Sequence, residues 1–93
     1  MEWKASHILI KDRGQAQQVW QKVKQGGNFE ALAREFSTCP SKSQGGDLGW
    51  FSTGKMVPTF ESAVKKLGVG SVSDIVSTQF GYHIIKCTGK RGD

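Results

Sequence analysis

Two short apolar runs, ASHILI at residues 5–10 and GYHIIK at residues 81–86, lie near opposite ends of the chain, and each holds a histidine. Runs of this length, rich in Ile, suit half-buried strands. Read as a strand, residues 3–10 place Trp3, Ala5, His7 and Leu9 on one face and Ser6, Ile8 and Ile10 on the other. Residues 82–88 likewise place His83, Ile85 and Cys87 on one face, with Tyr82 and Ile84 opposite. A first and last strand of this kind can pair and bring their imidazoles together. A chain of 93 residues is enough for one compact domain, and at this size its core is small.

Helices are expected between the two runs. Asp12 caps the first, with Gln15 in the capping-box position, and Ala16, Val19, Trp20 and Val23 form its apolar stripe. Gly26-Gly27 stops it. Asn28 caps a second helix with the stripe Phe29, Leu32, Ala33, Phe36. The linker is too short for these two helices to be anything but neighbours. A loop follows, FSTCPSKSQGGDLGWF, whose Pro40 and Gly45-Gly46 forbid a continuing helix, and residues 48–51 suit a short strand. Pro58 opens a further helix with Phe60, Ala63, Val64 and Leu67 on one side, ended by Gly68. Residues 72–76 read as a strand and STQFG as a turn before the last strand. The order β-α-α-loop-β-α-β-β lacks regular βαβ units and predicts an α+β fold with an antiparallel or mixed sheet, one domain over residues 1–93.

Composition excludes several classes. Hydrophobic residues make up 37% and charged residues 23%, which is not the balance of a disordered chain. Apolar runs are too short for a membrane span, and MEWKASHILI has an acid at position 2 and no signal-peptide core. A cytoplasmic protein is expected. Cys39 and Cys87 are too few for the disulfide framework of a small secreted scaffold. The net charge of +5 allows a nucleic-acid partner, but the basic residues are scattered, which favours a solvated surface.

His7, His83 and Cys39 are the reactive side chains. A strand histidine is by default a half-buried, hydrogen-bonded residue, and a buried pair would stay neutral, each ring needing a partner. The spacing of His7, Cys39, His83 and Cys87 does not match a zinc site, and no metal is expected. A thiol paired with histidine is chemically sensible as a nucleophile, although no residue is evidently placed to orient the base. Leu48, Met56 and Phe60 flank GGDLGWF and GKMVPTF, where they are either ordinary core or the wall of a pocket.

Taken in order and spacing, ASHILI, FSTCPS, GGDLGWF, GKMVPTFE and FGYHIIK resemble the parvulin family of peptidyl-prolyl cis/trans isomerases, in particular its small prokaryotic members. The resemblance implies a four-stranded antiparallel sheet surrounded by four helices, and an isomerase without cofactors. It implies that His7 and His83 form a hydrogen-bonded network with Thr78, and that Cys39 is a polarising group where other members carry Asp. It further implies that Leu48, Met56 and Phe60 receive the proline ring, with Phe51 and Phe80 at the pocket edge. The expected partners are proline-containing peptides and unfolded proteins, acted on by a monomer. Lys11-Asp12-Arg13-Gly14 is shorter than the basic loop of phosphate-directed members, so no strong need for phosphorylated Ser or Thr before proline is expected.

Overall fold

The computed structural model describes residues 1–92. Four antiparallel strands form one sheet in the order β2-β1-β4-β3: β1 (Glu2–Ile10), β2 (Asp47–Ser52), β3 (Val76–Thr78) and β4 (Gly81–Arg91). The first and last runs do pair, and at the centre of the sheet. Their ladder extends from Glu2↔Arg91 to Ile10↔Tyr82, with one irregularity between Lys4 and Ala5. The parity expected from the sequence is the parity observed, because each face has its own core.

On one face Ile8, Ile10 and Ile84 pack under α1 (Arg13–Lys24) and α2 (Phe29–Phe36), meeting Ala16, Val19, Val23, Phe29 and Ala33. On the other, Trp3, Ala5, Phe51, Ile85 and Cys87 pack under α3 (Pro58–Lys66), meeting Phe60 and Val64. Ile8, Ile84, Ile85 and Val64 are wholly buried. Each contributes about 1.5–3 kcal/mol by leaving water.

The helices begin where their caps demand. The Asp12 carboxylate accepts the Gln15 N–H at 2.8 Å, and the Asn28 side chain accepts the Ala31 N–H at 2.9 Å. α3 has no side-chain cap. Its first turn carries Pro58, whose missing N–H leaves one fewer donor to satisfy.

Two expectations are corrected. The helices are three α-helices plus a five-residue 3-10 helix, Pro40–Gln44, which occupies the place of the fourth. Pro40 sets its first turn and Gly45, at φ +70°, ends it before a full α-turn can build. Residues 72–76 are not a regular strand: Val72 makes a single bridge to Lys86, and β3 starts only at Val76. The cause is Ser73. Its N–H donates to the Ile85 carbonyl at 2.8 Å, but its hydroxyl, not its carbonyl, accepts the Ile85 N–H at 3.1 Å. The Ser73 carbonyl instead turns to the Trp20 indole N–H at 3.1 Å. The segment follows β4 without completing a ladder.

Candidate active site

His7 pairs with Ile85, and His83 pairs with Leu9, so the two histidines are diagonal neighbours on adjacent strands of the α3 face. Their Nδ1 atoms lie 2.9 Å apart, and the rings are 5.1 Å apart at 24°. Both residues are 5% exposed. The Thr78 hydroxyl at the end of β3 sits 2.7 Å from His83 Nε2, and it accepts the Phe80 N–H at 3.1 Å.

This geometry restricts the protons. A hydrogen bond between two Nδ1 atoms needs one donor and one acceptor, so the neutral rings are opposite tautomers. The arrangement that uses Thr78 fully runs in one direction. The Phe80 N–H donates to Thr78 Oγ1, the Thr78 O–H donates to His83 Nε2, and the His83 Nδ1–H donates to His7 Nδ1. His7 Nε2 is then the end of the chain, and it is buried without a protein partner. Burial, and secondarily the His83 ring, push His7 down to about 4. Burial also holds His83 below the ordinary imidazole value. Both rings are neutral at pH 7.

Phe60 joins this network to the apolar side. Its ring stands edge-on to His7 at 5.6 Å and to His83 at 5.5 Å. Leu48 and Met56, both partly buried, pack against the same cluster. Phe51 lies deeper than an edge position: it is 4% exposed, with its ring 6.4 Å from Phe60 and 6.0 Å from Trp3. It supports Phe60 from the interior. Phe80 is 52% exposed on the β3–β4 turn.

Cys39 is a half-buried free thiol at the start of the 3-10 helix. Its loop is fastened to β1 at both ends. On one side Ser37, 3% exposed, accepts the Leu9 N–H at 3.0 Å and the Cys39 N–H at 3.3 Å. The Thr38 N–H donates to the Leu9 carbonyl at 2.8 Å. On the other side the His7 N–H donates to the Gly46 carbonyl at 3.0 Å. Gly46 has φ +86°, and a Cβ there would run into the His7 carbonyl, so only glycine lets the loop return this closely.

Thus His7, His83, Thr78 and Phe60 meet directly, while Cys39 is held separately on a loop anchored beside His7. Ser37 was not singled out from the sequence. Its place between a helix end and Cys39 in FSTCPS was the available signal. A cleft between α3 and residues 73–76, lined by Pro58, Ser62, Leu67 and Asp74 among others, contains none of these groups. Among the described residues, no helix is long and apolar enough to cross a membrane.

Known proteins share this arrangement of fold and sequence. Residues 7–89 match the rotamase family, the PPIC-type PPIase domain. The foldase protein PrsA of Bacillus subtilis is 56% identical over 90 residues, covering 96% of this chain and 31% of PrsA. The chain therefore spans about a third of the length of the curated relatives it matches. The crystal structure of Bacillus subtilis PrsA superposes with a TM-score of 0.92 at 54% identity, covering 99% of this chain and 36% of that one. The solution structure of NmPin, the parvulin of Nitrosopumilus maritimus, superposes with a TM-score of 0.83 at 44% identity, covering 95% of this chain and 96% of NmPin. Sequence and overall fold agree, and the chain belongs to the rotamase family of PPIC-type, or parvulin-type, peptidyl-prolyl isomerase domains.

Proposed function

We propose that this chain accelerates cis/trans rotation about Xaa-Pro bonds without forming a covalent intermediate, and so assists the folding of proline-containing chains. The observation that carries the reading is Phe60, one aromatic wall shared by the buried histidine pair and the apolar cluster of Leu48 and Met56. A site for this reaction needs such a junction. The prolyl ring is apolar, while the amide beside it is polar and loses its resonance as it twists.

The barrier is ~20 kcal/mol, the cost of losing that resonance. No bond is broken, so selective binding of the twisted amide is sufficient. A 10⁵-fold acceleration would require about 7 kcal/mol of such preference. In this reading Leu48, Met56 and Phe60 hold the ring and Phe51 backs them. Phe80 supplies an exposed aromatic surface to the flanking peptide. Cys39 polarises the region beside the amide. His7, His83 and Thr78 form a neutral scaffold that holds its shape through the turnover.

The substrate is unphosphorylated before proline. The connection between β1 and α1 is short, and the Asp12 carboxylate that caps α1 stands between Lys11 and Arg13, where it offsets their attraction for a phosphate. Peptides are favoured over nucleic acid because many basic side chains lie across aromatic rings of this chain. Lys22 covers Phe36, Lys24 covers Trp20, Lys65 covers Trp3, Lys86 covers Phe29, and Arg91 lies 4.1 Å from the Trp50 centroid. The two free thiols suit a reducing compartment, the single ground for a cytoplasmic location.

Exchange NMR on short Xaa-Pro peptides, with Leu, Glu or phosphoserine before proline, tests the proposal. Faster exchange, greatest with Leu, is expected. Binding without faster exchange would replace the enzyme by a chaperone-like peptide clamp. A strong preference for phosphoserine would refute the specificity.

A further inference from the structure

Met56 sits in the connection between β2 and α3, where the sheet provides no ladder to hold it. The Lys55 N–H donates to the Ser52 carbonyl at 3.2 Å, a single turn bond. The second restraint comes from α3. Glu61 Oε1 accepts the Gly54 N–H at 2.8 Å. Its other oxygen, Oε2, meets Lys65 Nζ at 3.0 Å. The Glu61 side chain is only 13% exposed, while that of Lys65 is 42% exposed. The carboxylate is thus committed at both oxygens, one to the turn and one to the next turn of its own helix. It lies in the first turn of a helix that has no side-chain cap, where a negative charge is favoured by the helix dipole. The Gly54 N–H, and then Lys65, hold the carboxyl below its ordinary value.

We propose that Glu61 is a positioning residue for the proline pocket: through the Gly54 N–H it holds the β2–α3 turn so that Met56 stays packed against the cluster that contains Phe60. The inference rests on the reading that Met56 contacts substrate. Gly54 has φ +90°, and nothing in the structure lies close to where its Cβ would be. Packing therefore does not fix the turn at Gly54 itself, and the carboxylate supplies a restraint there that Met56 and Val57, packed further along, do not. With Glu61 removed, the turn moves, the ring loses one wall, and substrate binding weakens more than the rotation step.

The test measures KM and kcat on a Leu-Pro peptide for the wild type, Glu61→Ala, Glu61→Gln, Met56→Ala and the Glu61→Ala/Met56→Ala double variant, well below each melting temperature. Glu61→Ala should raise KM about fivefold to tenfold with kcat changed less than about twofold, the split expected when ground-state and transition-state binding are lost alike. Glu61→Gln should stay within about twofold of wild type, because an amide oxygen still accepts the Gly54 N–H. The double variant should be no worse than Met56→Ala, since both changes act through one wall. Additive effects, or a lower melting temperature with KM unchanged, would overturn the proposal. If Glu61→Ala does not fold, Glu61→Gln decides alone, and a fivefold rise in its KM refutes the hydrogen-bond account. A Met56→Ala variant with wild-type KM would instead refute the pocket assignment itself.

Discussion

Acidification should destabilise this protein through His7. The ring is 5% exposed and is held down to about 4, from an ordinary value of 6.5. Above pH 6.5 both the folded and unfolded states carry a neutral imidazole, and His7 contributes no pH dependence. Below it the unfolded chain binds a proton that the folded chain refuses, so stability falls with pH and levels off below about pH 4. With 1.36 kcal/mol per unit, the loss at pH 5.0 is about 2 kcal/mol, and at pH 4.0 about 3 kcal/mol. His83, also held low by burial, acts in the same direction. Glu61 is held below its ordinary value of 4.5, so most of its own contribution is lost only at lower pH. Urea unfolding at pH 7.5 and 5.0 measures the effect. With a slope of about 1 kcal/mol per molar, the midpoint should fall by about 2 M. His7→Asn should start less stable at pH 7.5 but lose much less on acidification. Parallel pH profiles for wild type and His7→Asn would refute the reasoning, because burial of a neutral His7 would then not be the source.

The same geometry makes other outcomes measurable. Nitrogen NMR should find His7 and His83 as opposite tautomers at neutral pH, and identical tautomers would break the Nδ1–Nδ1 hydrogen bond. Ser37→Ala strips the acceptor from the Leu9 and Cys39 N–H groups, which should cost about 1–3 kcal/mol and lower the melting temperature by roughly 5–15 °C in a calorimetric scan. Phe60→Ala should raise KM and, as a buried aromatic truncation, cost about 3–5 kcal/mol of stability by denaturant titration, and a large stability loss with KM unchanged would place Phe60 in the core alone. Cys39→Asp should retain measurable isomerisation in the peptide assay; complete loss would revive the thiol as a nucleophile.

Much of the sheet could be read from the residues because its signals are local. His7 and His83 lie on the expected face because alternation along β1 and β4 decides it, and Asp12 and Asn28 cap the helices they were expected to cap. The failures arise where a side chain competes with the backbone. Ser73 substitutes its hydroxyl for a carbonyl and so dissolves the expected strand at residues 72–76. Ser37, which holds the Cys39 N–H, also accepts from Leu9, 28 residues before it, a contact that no local pattern announces. Phe51 and Phe60 both carry aromatic rings near glycine-rich turns, and only packing separates the supporting ring from the one against the histidines. Glu61 reads as an ordinary helix glutamate until the β2–α3 turn is seen to bend back onto it.

The pairing of Glu2 with Arg91 has a consequence for how such a unit can be carried. Partners across an antiparallel ladder have Cα atoms about 5 Å apart, little more than one residue step along a chain. The chain thus enters and leaves this sheet at neighbouring points on its two central strands. A polypeptide could interrupt a surface loop with this module, run through β1 to β4, and resume almost where it stopped. The architecture has the form of a cassette: a unit of this kind makes up 96% of NmPin and matches 31% of the much longer PrsA.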